Sequence, residues 1–231
     1  MRWSRRRLWA SVRGRRINLT FHGVGEAERP LEPGEELLWL DHDQFESVLD
    51  SVAGRSDVRI TFDDGNASDV EHALPQLQRR GLTATFFVVA GRLGSPGFLD
   101  EGRVRVLAGA GMEIGCHGMR HRPWRGLDER ALWEEVVHAR RLLEHVVDRP
   151  VTEAACPFGA YDRRVLRFLR RHRYRRTYTS DRGTARPGDW IQARNTVRAG
   201  NAAEVVDSML ADLSTHNGLR WRIKLAAKRW R

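Results

Sequence analysis

The chain has 231 residues, 41% of them hydrophobic, which suits one domain large enough to bury a real core. Its formal net charge is +10, and no apolar stretch approaches the ~20 residues needed to cross a bilayer. The charge excess sits at the ends: seven arginines and no acid in the first sixteen residues, and six basic residues and no acid in the last twelve.

Taken in order, short apolar runs alternate with amphipathic stretches. Residues 17–22 read as a first strand, and residues 43–53 as a helix with Phe45, Val48, Leu49 and Val52 inward. Residues 59–62 form a strand, and Ser68 is placed as the N-cap of a helix that runs to residue 80 and stops at Gly81. Residues 83–89 are β-branched and aromatic and read as a strand. A helix near residues 103–110 leads into an apolar run at 112–116. Residues 128–147 give the clearest helix, with Leu132, Val136, Ala139 and Val146 on one face, stopped near Pro150. A strand at 153–156, a helix at 163–172 and strands near 177–179 and 191–193 follow; residues 205–213 have helical spacing. No internal repeat appears, and this alternation implies parallel strands with outer helices.

Two segments carry chemistry. Ile60-Thr61-Phe62-Asp63-Asp64-Gly65 sets two adjacent carboxylates where a buried strand runs into a glycine turn. Neighbouring carboxylates repel and resist burial, so such a pair points to a cation or to proton transfer. Gly115-Cys116-His117-Gly118-Met119-Arg120-His121 adds a His-x-x-x-His at the end of another apolar run. Two imidazoles and one carboxylate make a three-ligand catalytic zinc set that leaves room for water and substrate. Cys116 reads as a small packing residue behind the site, and both it and Cys156 as reduced thiols.

On these residues the chain resembles the polysaccharide deacetylases, carbohydrate esterase family 4, over roughly residues 17–195. Thr61 to Gly65 is similar to the family's first motif, which implies Asp63 as general base and Asp64 as metal ligand. His117 and His121 resemble the two metal-binding histidines of its second motif. Residues 155–162 are similar to the third motif, which lines the substrate groove; this implies substrate contacts at Pro157, Phe158, Gly159 and Tyr161. Asp189-Trp190 resembles the fourth motif, whose Trp helps form the acetyl pocket. The fold implied is α/β, a distorted (β/α) barrel with fewer than eight regular strands. In such a barrel the chemistry lies at the C-terminal strand ends, where Asp63, Asp64, His117 and Pro157 all fall.

Two departures from the family pattern shape the expectations. Relatives carry a late-strand histidine as general acid, but here the corresponding region is helical and His216 lies beyond it. His22, ending the first strand, is expected at the site mouth and is assigned as the acid. Many relatives also have an arginine where this chain has Ala155, orienting the base. Arg194 or Arg182 is the substitute, and Arg194 is also counted among the groove residues.

The activity these features imply is hydrolysis of an N-acyl group, N-acetyl first, from an amino sugar or glycan, lipid-linked or not. Zn2+, or Co2+ or Ni2+ in its place, activates the water and Asp63 takes its proton. A deformylase or other C–N amide hydrolase acting on a lipid-linked sugar, and a non-catalytic carbohydrate-binding relative, are the alternatives. Three stretches are expected: a basic segment 1–16, a catalytic domain 17–213, and a basic amphipathic tail 214–231 with Leu219, Ile223, Ala226 and Trp230 at helical spacing. The basic ends are read either as a peripheral contact with anionic membrane or as a solvated face. With no nucleic-acid reader motif, nucleic acid is not expected as a partner. The N-terminus lacks the apolar core of a signal peptide, so the expected location is cytoplasmic, at the inner membrane face if the ends bind lipid.

Overall fold

The structure, a computed structural model, describes residues 14–214. His216, the tail at 215–231 and most of the basic N-terminal segment lie outside the described residues. In chain order the strands are β1 (Arg16–Phe21), β2 (Gly23–Val24), β3 (Trp39–Leu40), β4 (Val58–Asp64), β5 (Ala84–Val88), β6 (Glu113–Cys116), β7 (Glu153–Ala155), β8 (Arg176–Thr179), β9 (Thr184–Ala185), β10 (Ile191–Ala193) and β11 (Asn195–Thr196). The helices are α1 (His42–Val52), α2 (Leu74–Arg79), α3 (Glu101–Gly109), α4 (Glu129–Leu132), α5 (Ala139–Val147), α6 (Arg163–Arg171) and α7 (Ala202–Ser214). Turns of π-helix at Asp69–Ala73 and Trp133–His138 lead into α2 and α5.

The main sheet runs β10-β8-β7-β6-β5-β4-β1-β11, with β9 joined antiparallel to β1. All the other pairings are parallel, as the intervening helices require. Ala193 pairs with Thr179 on one edge and Asn195 with Leu19 on the other, so Arg194 alone separates β10 from β11. One divided strand therefore bridges the last gap and nearly closes the sheet. Six whole strands and this divided one make the distorted α/β barrel with fewer than eight regular strands that the sequence implies.

Strand alternation sorts side chains to the two faces. The register sets Phe21 opposite Phe62 and Phe62 opposite Phe86, so three rings fall in one outward row. They stack at 5.4 and 4.6 Å, and Phe45 of α1 meets Phe21 edge-on at 5.2 Å. All four are fully buried, and truncating any one to Ala should cost about 3–5 kcal/mol. The other face fills the barrel. Phe87 of β5 and Tyr178 of β8 belong to strands that are not neighbours, yet their rings meet at 4.9 Å across the interior.

Local reading failed at some element ends. Ser68 makes no capping bond; its Oγ accepts from the Val24 backbone N–H at 3.3 Å, tying the loop after β1 to the loop after β4. The helix over 128–147 is present and capped by Asp128, but its middle widens into the π-helical turn. Strand β4 runs two residues past the expected end, through both aspartates.

Candidate active site

Residues 63 and 64 should face opposite sides of a regular strand. Asp64, however, takes a left-handed backbone (φ 77°), a conformation Asp tolerates better than most residues, and Gly65 follows at φ 74°. The twist brings both carboxylates to one imidazole: His117 Nε2 lies 3.7 Å from Asp63 Oδ2 and 3.6 Å from Asp64 Oδ1. Both aspartates and His117 are buried.

His117 follows β6, and its Nδ1 lies 2.9 Å from the Ala155 carbonyl, the acceptor for an Nδ1–H. That contact fixes the tautomer and leaves the Nε2 lone pair facing the carboxylates. Burial pulls the His117 pKa down to about 4, so the ring is neutral at physiological pH. His121 approaches from the same loop with a left-handed backbone of its own (φ 49°), and its Nε2 stands 3.0 Å from Asp64 Oδ1. Although so close, Asp64 Oδ1 is buried with no donor aligned on it among the described residues. One oxygen of Asp64 and one nitrogen of each histidine all lie within 4.8 Å of one another. A buried carboxylate oxygen without a donor, facing two imidazole nitrogens, has the donor set and spacing of a divalent-cation site.

Asp63 is braced from below. Arg194 donates to it through both terminal nitrogens, Nη1 to Oδ1 at 2.6 Å and Nη2 to Oδ2 at 2.7 Å. The guanidinium is buried over the rings of Phe87 (5.2 Å) and Tyr178 (5.9 Å). Burial alone would raise the Asp63 pKa, but Arg194 and His117 outweigh it and hold the carboxyl below its ordinary value. Of the two arginines expected to replace one at position 155, Arg194 is the one that meets Asp63, and it does so from the break in the divided strand. As a substrate-groove residue it is corrected: its head is sealed beneath Asp63. Arg182 is exposed, and its backbone N–H bonds the Arg194 carbonyl at 3.0 Å.

The remaining assignments divide. Phe158 is 62% exposed, stands at φ 56°, and lays its ring 4.6 Å from that of His121, so it borders the site. Pro157 and Gly159 shape this turn and are themselves buried. Tyr161 is fully buried with its hydroxyl donated to Asp181 at 2.6 Å, so it braces the loop and does not reach a substrate. Trp190 is also corrected. It precedes β10, at the opposite end of the barrel from Arg194, where its Nε1 donates to the Tyr174 carbonyl at 2.8 Å beneath Arg170. It cannot wall an acetyl pocket at the mouth.

His22, directly after β1, is half-buried, and its charge bears on both Asp63 and Asp64. Its Nδ1 is buried with no hydrogen-bond partner among the described residues. Two carboxyls near the site escape sequence reading. Asp69 is buried with neither oxygen partnered among the described residues, and burial, then Asp64 and Asp63, push its pKa well up. Glu135 is fully buried under the His117–His121 loop. An acid within the apolar stripe between Leu132 and Ala139 is the one sequence signal that could have singled out Glu135.

Fold and site together define a (β/α)-barrel hydrolase with an Asp-His-His cluster at the C-terminal strand ends. The chain belongs to the polysaccharide deacetylase family, whose sequence pattern it matches over residues 51–177, and so falls among the hydrolases that deacetylate carbohydrates. It is 27% identical over 194 residues to YxkH of Bacillus subtilis (strain 168), which is named for the same family; the match covers 78% of this chain and 70% of that protein. The fold is shared with BC0361, a polysaccharide deacetylase from Bacillus cereus (TM-score 0.72, 18% identity, 86% of this chain and 68% of that one). It is shared also with the Streptococcus pyogenes deacetylase PplD, solved in complex with acetate (TM-score 0.70, 18% identity, 86% and 97%). Among the described residues no helix is long and apolar enough to cross a membrane.

Proposed function

We propose that the chain is a metal-dependent hydrolase that removes the N-acetyl group of an amino sugar or glycan. The observation that carries this reading is the buried, donorless Asp64 Oδ1 facing the nitrogens of His117 and His121, with an arginine-braced Asp63 beside it. Asp64, His117 and His121 would hold the ion. A divalent metal there, zinc or in its place cobalt or nickel, supplies Lewis acidity that polarises the acyl carbonyl and brings the pKa of the attacking water from about 16 towards about 7.

The chain's own residues do the rest. Arg194 keeps Asp63 ionised and fixed in orientation, so the carboxylate is ready to take the water's proton as the new C–O bond forms. His22 would return a proton to the nitrogen as the C–N bond breaks, releasing acetate and a free amine; its Nδ1, unpartnered among the described residues, supports that role. Phe158, beside His121, offers an apolar face to the sugar ring. The arginine-rich ends extend the reading to an acceptor met at an anionic membrane surface on the cytoplasmic side, such as a lipid-linked amino sugar.

The test is metal content beside acetate release. Wild-type protein should bind about one divalent ion per chain and release acetate from an N-acetylated sugar, and Asp64→Ala should lose both. Metal without acetate would direct the search to other acyl groups, formyl first. No metal in the wild type would overturn the reading.

A further inference from the structure

Glu135 lies in the π-helical turn between α4 and α5, and its side chain is fully buried. A buried carboxylate is unfavourable unless donors surround it, so the identity of its donors shows what it serves. Among the described residues, all of them come from one loop. Oε2 accepts from the backbone N–H of Met119 at 2.9 Å and of Arg120 at 3.2 Å, and Oε1 accepts from Arg122 Nε at 2.9 Å. The Glu135 carbonyl also faces Cys116 Sγ at 3.9 Å. Residues 116 to 122 thus wrap this one residue, and His117 and His121 stand within the wrap.

The loop's backbone is built for that approach. Gly118 has φ 90°, and a Cβ at that position would stand 2.7 Å from Glu135 Oε2. His121 is held in a left-handed conformation that a non-glycine residue keeps only where its surroundings impose it. The bonds to Met119 and Arg120 fall directly before it. Glu135 is buried together with its neighbours Val136 and Val137, all three in the π-helical turn.

We infer that Glu135 is a positioning residue for the metal site: it touches neither metal nor substrate, and sets the spacing of the two imidazoles through the loop between them. The inference rests on the metal reading above and extends it to a residue outside the three ligands. Partners bonded directly to metal-ligating side chains typically carry a 10- to 100-fold share of metal affinity, and Glu135, bonded to the backbone between the two histidines, is expected to carry a share of that order.

The test is a Zn2+ titration against a competing chelator, on full-length wild type, Glu135→Gln and the neighbouring control Glu134→Gln, with circular dichroism on each. Glu135→Gln should stay folded and raise the Zn2+ Kd about 10- to 100-fold, and Co2+ bound in its place should show an altered visible spectrum. Glu134→Gln should match wild type. A folded Glu135→Gln with wild-type Kd and spectrum would overturn the inference, since a merely structural role lowers the melting temperature and leaves both unmoved. Should Glu135→Gln fail to fold, Glu135→Asp decides by the same two outcomes. Wild type that binds no Zn2+ would overturn the metal reading and this inference with it, whereas binding with unequal affinities separates the two.

Discussion

The two ends of the barrel hold the same kinds of charge arranged in opposite ways. At the N-terminal end, Glu153 is buried and saturated: Arg175 and Arg176 reach Oε1 at 2.9 and 2.8 Å, while Tyr178 donates to Oε2 at 2.9 Å and Arg59 stands 3.5 Å from it. At the C-terminal end Asp63 has one arginine, and among the described residues Asp64 Oδ1 has only the unaligned Nε2 of His121 near it, at 3.0 Å. A saturated carboxylate has no lone pair left for chemistry and acts as a plug. An unsaturated one, kept ionised by its neighbours, is a standing invitation to a cation. The contrast separates site from scaffold more sharply than burial or pKa shift, which the two ends share.

Asp63→Asn breaks the comparison at the mouth and should have the largest effect. The amide keeps the shape of the carboxylate and cannot take a proton, so kcat should fall about 10²- to 10⁴-fold. Metal content should stay that of wild type, because none of the three ligands is touched. Steady-state kinetics with metal analysis on one preparation checks both, and normal turnover would remove Asp63 as the base.

Glu153→Gln breaks it at the floor and should act on stability alone. Leaving Arg59, Arg175 and Arg176 around a neutral amide should cost about 2–3 kcal/mol at neutral pH, with kcat of the folded protein unchanged. The pH dependence follows from the shift. Burial by itself would raise the Glu153 pKa, but Arg59 and the bonds from Arg176 and Tyr178 outweigh it and hold it below its ordinary value. A depressed carboxyl pKa stabilises the fold above the unfolded value of about 4.3, and that contribution fades as pH falls through the folded value. Urea denaturation should therefore show a gap between wild type and variant that is full near neutrality and closes in acid below about pH 4. A gap that does not depend on pH would mean that the charge of Glu153 is not what holds the floor.

How much of this was legible in the sequence depends on how local each signal is. The Asp63-Asp64 pair and the His117-x-x-x-His121 spacing carry their chemistry within seven residues or fewer, and strand ends place them at one rim. Arg194 pairs with a carboxylate 131 positions earlier, and only closure of the barrel through a divided strand shows why it sits there. Trp190 misled because a short Asp-Trp match does not say at which end of a strand it lies. Ser68 misled because a tertiary donor, the Val24 N–H, competed with the helix for its hydroxyl. The π-helical turns have no propensity signature of their own, and with them Glu135 stayed hidden.

Phe158 sharpens the comparison with the smallest expected change. The floor's aromatic, Tyr178, is buried and bonded to Glu153, whereas Phe158 is exposed beside His121 and held at φ 56°, a conformation glycine adopts freely. In Phe158→Gly the relief of backbone strain opposes the added freedom of the unfolded chain, so stability should move by less than about 1 kcal/mol. If the exposed ring is a face for the sugar, its loss should raise KM about three- to tenfold and leave kcat nearly unchanged, the size of one aromatic contact. Phe158→Ala separates the two contributions, because it removes the same ring while retaining the left-handed strain. Equal KM increases in both variants with a lower melting temperature only in Phe158→Ala would assign the ring to substrate binding and the backbone to the fold. An unchanged KM in both would take Phe158 out of the groove and leave it as packing against His121.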